Sequence, residues 1–323
     1  METLRIGGRR YSDPDVISLC QQTGALIDPR STVVPMARSL LGKINGFPGV
    51  PQDPLERLKI IASLAGIKIQ AMDMDRLQKE KRDAALFPTP SGLKVLYNPN
   101  RPKPRVVFTI AHEVIHTFFP NSTSGTRFRS ITHPDSREAN ELERLCDLGA
   151  AELVMPLEDF QREANGTYSL TRVEKLASHF GTSFEATTFR LSSAHPGFAV
   201  AGLLRYRYTL DEERRLHKNS KQRLLFSSPP LPSAEPAEKK YRRQSLLMSS
   251  NCEDEHLIRW NKSFDRTSVV YKAREGGVHR AVESLPNQSG LYGQLEAVLS
   301  PFQREEADGR FKDVLFFWQH ITQ

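Results

Sequence analysis

The feature that most constrains this chain is the segment Ala111–His116, which reads Ala-His-Glu-Val-Ile-His. Two histidines four residues apart, with a glutamate directly after the first, make an HExxH motif. The motif lies in an apolar stretch, 105–119, whose hydrophobic residues recur at helical spacing, and Pro120 follows. This pattern predicts a helix that ends near residue 119 and carries both imidazoles on one side.

The spacing of the two histidines predicts a metal site. Residues four apart on a helix are separated by about 40° around its axis, so His112 and His116 project side by side. Together they can hold one zinc ion, at about 2.0–2.1 Å from each ring. Glu113 is then close enough to take a proton from a water on that ion and to return it to the leaving amine of a peptide. The alternative is a pair of core histidines without a metal.

A second predicted helix, over 136–155, supplies candidates for a third ligand. A tetrahedral zinc ion with two histidine ligands needs another protein ligand and an open position for water. We predict Glu143 as that ligand, and Asp147 as the acceptor for the free ring N–H of His112 or His116. Glu143 has three rivals on the same helix, namely Glu138, Glu141 and Glu152. Glu141 and Glu143 are about 200° apart around the axis, so both cannot face one ion.

Peptide hydrolysis also needs a group that stabilises the oxyanion. His133 and Tyr168 are candidates by residue type. We expect the substrate to add as a strand to a sheet edge such as Leu93–Tyr97.

Two segments carry a resemblance to a known family. The first, Phe108–Thr117, reads Phe-Thr-Ile-Ala-His-Glu-Val-Ile-His-Thr, and the second, Glu143–Pro156, begins Glu-Arg-Leu-Cys-Asp and ends Met-Pro. They resemble the active-site segment and the third-ligand helix of the ImmA/IrrE metallo-endopeptidases, and the similarity covers about residues 55–193. Asp147 stands where that family usually has Asn. Gly149 stands where it usually has an aromatic residue, and we expect the glycine to loosen helix packing.

The resemblance implies a zinc endopeptidase with a narrow protein substrate. It implies zinc on His112, His116 and Glu143, with Glu113 catalytic; another divalent transition metal such as Mn²⁺ is the alternative. Family members typically cleave a repressor or antitoxin-like regulator, often a helix-turn-helix protein, in a stress, mobile-element or phage-defence response. The expected partner is therefore a regulator encoded nearby.

The sequence predicts an α+β protein of three parts. Residues 1–54 form an extension of short helices and turns, and 55–195 form a zincin-like metallopeptidase domain with helical segments after the motif. Asp53-Pro54 is expected to start one helix, and a capping box, Thr171-Arg-Val-Glu174, another. Residues 196–323 are expected to form a β-rich domain, GAF-like by analogy, that senses a signal or recruits the substrate. Its predicted strands are 198–208, 244–249, 256–260, 268–272, 291–299 and 314–318.

The basic excess of the chain lies in that last part. The net charge is +7, and the excess is concentrated in 205–243, beside a proline-rich segment. We interpret this stretch as a solvated loop. One alternative is DNA binding through Arg242 and Arg243, which is not favoured. The other is a non-proteolytic, antitoxin-like or DNA-binding regulator that acts through the C-terminal domain.

Cysteine usage and hydropathy predict a cytoplasmic protein. The three cysteines include no CxxC pair, which argues against a disulfide framework. Cys146, near the presumed metal ligand on the second predicted helix, is interpreted as a small buried apolar residue, with a redox-sensitive or inhibitory thiolate as the alternative. The chain starts without the apolar stretch of a signal peptide, and its longest apolar run, Phe198–Leu204, is far shorter than a membrane span.

Overall fold

The fold is mixed α+β, as the sequence predicts, and is known from a computed structural model of the chain. The structure describes residues 3–6, 9–23, 28–44, 49–75, 82–120, 127–130, 137–225, 237–249, 257–286, 288, 290–301 and 312–321. Contacts divide the chain into two compact units. The first comprises 1–160 with 177–183, and the second comprises 161–176 with 184–323.

The first unit holds helices and two sheets. Its elements are β1 (Leu4–Ile6), β2 (Arg9–Tyr11), α1 (Pro14–Gln22), α2 (Arg30–Gly42), α3 (Pro54–Leu64), β3 (Ile67–Ala71), β4 (Arg82–Thr89), β5 (Gly92–Tyr97), α4 (Lys103–His116), β6 (Arg127–Ser130) and α5 (Arg137–Val154). Strands β1 and β2 pair as a two-stranded sheet. Helix α3 begins as predicted, because the side chain of Asp53 accepts the N–H groups of Leu55 and Glu56 and Pro54 occupies the first turn.

The larger sheet of this unit corrects one prediction. Its order is β3-β5-β4-β6, with β3 parallel to β5 and the other pairs antiparallel. The expected substrate edge, Leu93–Tyr97, is the interior strand β5, whose backbone groups pair with β3 on one side and β4 on the other. Both edges of β5 are therefore already paired, and a substrate strand cannot add to it. Among the described strands, β3 and β6 are the outer ones of this sheet.

Helices α4 and α5 approach each other closely because Gly149 has no side chain. A Cβ at Gly149 would lie 2.8 Å from Ile115 Cδ1, which is too short for a normal contact. The expectation that this glycine loosens helix packing is therefore wrong: it lets the backbone of α5 approach the side chain of Ile115 on α4. The last residues of α4, from Thr109 to His116, are all buried.

The second unit is built on one antiparallel sheet. Its elements are α8 (Phe184–Ala194), β7 (Ala199–Arg207), α9 (Leu210–Leu225), β8 (Lys240–Met248), α10 (Val269–Lys272), β9 (His279–Ser284), β10 (Tyr292–Leu299) and β11 (Val314–His320), and α6 (Leu157–Ala164) and α7 (Val173–Phe180) span the division between the units. The sheet order is β8-β7-β11-β10-β9. Its core includes Phe316 and Trp318 on β11, Leu295 on β10 and Val270 on α10. The C-terminal part is β-rich, as predicted.

Three local predictions in or beside this unit are corrected, and one strand was missed. Residues 268–272 are not a strand, because Ser268 caps α10 by accepting the N–H of Val270. Residues 257–260 form no strand, and residue 256 lies outside the described part. The helix expected to be capped at Thr171 is preceded by a 3₁₀ turn, Leu170–Arg172, that is capped by Ser169. Strand β9 was not predicted.

The basic stretch 205–243 is partly regular rather than a loop. It contains the end of β7, all of α9 and the start of β8. Thr209 and Glu212 start α9 with a reciprocal capping box, since each accepts the other's backbone N–H. The proline-rich segment that follows, 226–236, lies outside the described residues. None of the helices in the described part combines the length and apolar character that crossing a bilayer requires.

Candidate metal centre

Helix α4 brings the two motif histidines together at its C-terminal end. The Nε2 atoms of His112 and His116 are 3.1 Å apart, and both side chains are buried. Their rings meet nearly edge-on, with centroids 4.9 Å apart. This is the arrangement expected for residues one helical turn apart, and it leaves one nitrogen of each ring facing a common point.

Helix α5 adds a carboxylate to the same point. Glu143 Oε2 lies 3.1 Å from His112 Nε2, and Oε1 lies 3.5 Å from His116 Nε2. Ligand atoms at about 2.0–2.1 Å from a tetrahedral ion lie about 3.3 Å from one another. The three separations therefore fit the ligand shell of one zinc-sized ion. The side chain of Glu143 is 39% exposed, so the group of ligand atoms meets solvent on this side.

The carboxylate of Glu143 is held in its charged form. Burial raises its pKa, but the hydrogen bond with His112 and the charges of His112 and His116 outweigh that effect and lower the pKa below the ordinary glutamate value. A deprotonated carboxylate is the form that binds a metal.

Other acids of α5 are engaged elsewhere. Glu141 accepts the backbone N–H groups of Ser12 and Asp13 at 2.9 and 3.2 Å. Glu152 is buried and accepts from Arg38 Nε at 2.8 Å. The side chain of Glu138 lies outside the described residues. These contacts leave Glu143 as the described glutamate of α5 that reaches the Nε2 atoms of both histidines.

Asp147 contacts the outer nitrogen of His112. Its Oδ1 lies 2.8 Å from His112 Nδ1. If that nitrogen carries the proton and donates to Asp147, the lone pair is on Nε2, which faces His116 and Glu143. In that tautomer, Nε2 can serve as a metal ligand.

Cys146 contacts the outer nitrogen of His116. Its buried Sγ lies 3.4 Å from His116 Nδ1. His112, His116 and Cys146 form a buried cluster whose ligand atoms lie within 4.8 Å of one another, and such a cluster could bind a metal. An ion held by both Nε2 atoms, however, would leave the thiol beside Nδ1, the other nitrogen of the His116 ring.

Cys146 is thus buried, as predicted, and it also makes a polar contact with His116. A signal for it exists in the sequence. Glu143, Cys146 and Asp147 are spaced i, i+3 and i+4, so they share one face of α5. Because Cys146 follows Glu143 by three positions, it is expected to lie near the residues that Glu143 contacts.

The remaining predicted catalytic residues are placed as follows. Glu113 is buried on α4, directly after His112. His133 lies outside the described residues. Tyr168 belongs to the second unit, where its ring packs edge-on against His195 with centroids 4.8 Å apart. Neither oxyanion candidate is thus among the described residues of the unit that holds His112.

Arg242 and Arg243 lie on β8 and bind atoms of their own unit. Arg242 is buried and donates to the carbonyl of Asn261 and to Glu212. Arg243 donates to the carbonyl of Ile258, and its guanidinium lies 4.6 Å from the centre of the Trp260 ring. These contacts hold both cations within the protein, which does not favour their use as phosphate contacts of a DNA site.

Comparisons with known proteins find one family model that matches the part of the chain containing the candidate site. Residues 62–192 match the family model of Peptidase_M78, described as the IrrE N-terminal-like domain. No curated protein sequence matches the chain. Among solved structures, a Mycobacterium tuberculosis transcriptional regulator is similar in fold, with a TM-score of 0.50 and 12% identity over 94% of this chain and 80% of that chain.

The family match covers both helices of the candidate site. It includes α4 with the HExxH motif and α5 with Glu143 and Asp147, and it agrees with the resemblance to the ImmA/IrrE family. Residues 62–192 are therefore similar to the IrrE N-terminal-like domain of the Peptidase_M78 family.

Proposed function

We propose that the chain is a zinc-dependent endopeptidase, with His112, His116 and Glu143 as metal ligands and Glu113 as general base. The observation that carries this proposal is the convergence of two Nε2 atoms and one carboxylate at separations of 3.1, 3.1 and 3.5 Å. Three protein ligands leave a fourth position open, which is typical of catalytic zinc sites, whereas structural sites are closed by four.

The choice of metal follows from the donor atoms. Two imidazoles and a carboxylate suit zinc, and Mn²⁺ is the alternative because it also accepts nitrogen and oxygen ligands. Zinc bound in this way supplies a Lewis acid and acidifies a water at its open position. Asp147 holds His112 in the tautomer that presents Nε2.

Glu113 moves the proton in this mechanism. Its carboxylate accepts a proton from the attacking water and passes it to the nitrogen of the leaving amine. Its position directly after His112, in the buried end of α4, places it next to the proposed metal ligands.

The substrate is proposed to be a regulatory protein in the cytoplasm. The peptidase family implies a protein substrate, and the resemblance to ImmA/IrrE favours a repressor or antitoxin-like regulator encoded nearby, in a stress, mobile-element or phage-defence response. We assign the catalytic domain to residues 55–195 and sensing or substrate recruitment to 196–323, for which a GAF-like fold remains the analogy.

Co-expression tests this function. The full chain is produced together with the product of the neighbouring gene, and cleavage is followed by mass spectrometry of the fragments. Wild type should cut at one site, and Glu113→Gln should bind metal but not cut. Glu158→Gln, an exposed glutamate of the same domain, serves as the matched control and should cut like wild type. Cleavage retained by Glu113→Gln would contradict the mechanism.

A further inference from the structure

The second unit contains a cleft with several polar side chains in its lining, which the proposed peptidase does not use. Its volume is about 400 Å³, within the range of small-molecule sites. One wall is the segment 166–169 with His195, and the other is formed by Arg280 on β9, Gln294 on β10 and Gln319 on β11. All of these residues belong to the second unit, so the cleft lies within it.

Arg280 is held at this cleft by a buried carboxylate. Its Nη2 lies 2.6 Å from Glu296 Oε1 and donates to Ser169 Oγ at 3.2 Å. Glu296 is fully buried, and its Oε2 accepts from Ser169 Oγ and from the backbone N–H of Leu170. This network fixes the guanidinium, yet the Arg280 side chain is 51% exposed. Within the described part of the chain, Nε and Nη1 have no hydrogen-bond partner, so three N–H donors are left for a ligand.

The orientation of Gln319 follows from a chain of hydrogen bonds. The backbone N–H of Gly197 donates to His195 Nδ1 at 3.0 Å, so the ring proton must be on Nε2. That Nε2–H donates to Gln319 Oε1 at 3.1 Å. The amide oxygen of Gln319 is thereby occupied, and its NH₂ group, which no described protein atom accepts from, is left as a donor.

Tyr168 supplies a third donor and a flat wall. Its hydroxyl has no hydrogen-bond partner among the described residues. Burial raises the pKa of the phenol, which keeps the hydroxyl protonated. The ring stands edge-on to His195 and closes that side of the cleft.

From these three donors we infer that the cleft binds a small oxyanion, a phosphate or carboxylate group, through Arg280, Gln319 and Tyr168. Glu296 offsets the charge of Arg280, so recognition depends on hydrogen-bond geometry more than on net charge. Gln294 donates its NH₂ group to Glu296, which leaves its oxygen as an acceptor beside the anion. A protonated phosphate, or a carboxylate with a neighbouring N–H or O–H, can accept from the three donors and donate to the oxygen of Gln294. This inference is independent of the proposed peptidase activity.

Calorimetric titration of the full chain tests the inference. The probes are inorganic phosphate, benzoate and the neutral benzamide. At least one of the two anions should bind with one site per chain. Comparison of the affinities for phosphate and benzoate shows which of the two groups the cleft prefers. Benzamide should bind at least about tenfold more weakly than the preferred anion, because it replaces one acceptor oxygen with an NH₂ group that cannot accept from the donors of the cleft. If neither anion binds, or if benzamide binds equally well, the inference is overturned.

The deciding variant is Gln319→Glu. The new carboxylate can still accept from His195, but it replaces a donor with a negative charge, so anion binding should fall by about tenfold or more. Arg280→Gln should have the same effect, but it also removes a partner of buried Glu296, so its folding is checked by circular dichroism. Arg259→Gln, an exposed arginine outside the cleft, is the matched control and should bind like wild type. Unchanged affinity in Gln319→Glu would overturn the inference.

A control separates this site from the metal centre, because anions also bind zinc. The titration is repeated with His116→Ala, which removes a proposed ligand in the other unit. Anion binding should remain as in wild type. Its loss in this variant would place the anion at the metal centre and overturn the cleft assignment.

Discussion

At the scale of single residues, the two histidines differ in what contacts their outer nitrogens. His112 Nδ1 lies 2.8 Å from a carboxylate oxygen of Asp147, and His116 Nδ1 lies 3.4 Å from the thiol of Cys146. A carboxylate is a much stronger acceptor than a thiol. We therefore expect Asp147 to contribute more than Cys146 to the orientation of the inward-facing nitrogens.

The variant Asp147→Ala tests this contribution. Removal of the acceptor should weaken zinc binding by about 10–100-fold, because His112 loses the partner that fixes its ring and tautomer. Asp147→Asn is the matched control: its amide oxygen can still accept from Nδ1–H, so the loss should be smaller. Competition with a chelator of known affinity gives both values. Equal affinities of Asp147→Ala and wild type would show that the contact has no role in metal binding.

Helical geometry was enough to predict the site residues that lie on α4 and α5. The i, i+4 spacing brings His112 and His116 together whatever surrounds them, and the second helix offered only a few acids. The sequence named Glu143 and Asp147, and the structure places both beside the histidines. His133 and Tyr168 were named by residue type alone, and no local rule connects them to the motif.

At the scale of elements, the site depends on how closely α5 approaches α4. The ligands come from both helices, and Gly149 on α5 lies against Ile115, the residue before His116. A side chain at position 149 must push the helices apart or displace Ile115. The spacing of Glu143 from the histidines is thus linked to a glycine six residues further along the helix.

The variant Gly149→Ala should destabilise the protein. Overpacking of this kind costs about 1–3 kcal/mol, which exceeds the gain of about 0.5–1 kcal/mol from replacing a helical glycine with alanine. Gly42→Ala on α2, where a Cβ meets nothing within 4 Å, is the matched control and should be neutral or slightly stabilising. Urea unfolding measures both changes. A Gly149→Ala protein as stable as Gly42→Ala would contradict the close approach.

Long periodic elements were predictable and short or charged ones were not. The apolar stripes of α4 and α5 stand out in the sequence. Val269–Lys272 is four residues long and rich in β-branched and aromatic side chains, so it resembled a strand although Ser268 caps it as a helix. Helix α9 was not predicted because its sequence is rich in charged residues. The capping box formed by Thr209 and Glu212 was the signal of its start. The interior position of β5 depends on strand order, which local pattern does not encode.

At the scale of the whole molecule, the proposed metal centre belongs to one unit and the cleft to the other. Metal binding stabilises whatever part of the chain holds the ligands, by mass action. The protection it gives should therefore be concentrated on the helices that supply the ligands.

Hydrogen exchange of the full chain with and without a chelator tests this. Metal removal should increase amide exchange in 103–116 and 137–154, because the three ligands there lose their common partner. Exchange in 292–299 and 314–320, the strands β10 and β11, should change less and serves as the internal control. Equal increases in all four segments, or none in the two helices, would contradict the assignment of the ligands.

The measurement that tests the central claim most directly is zinc K-edge X-ray absorption of the purified, zinc-loaded protein. With His112, His116 and Glu143 as ligands, the spectrum should show only nitrogen and oxygen neighbours at about 2.0–2.1 Å. With Cys146 as a ligand instead, a sulfur neighbour would appear at about 2.3 Å. That sulfur signal, or a protein that takes up no stoichiometric zinc, would contradict the account.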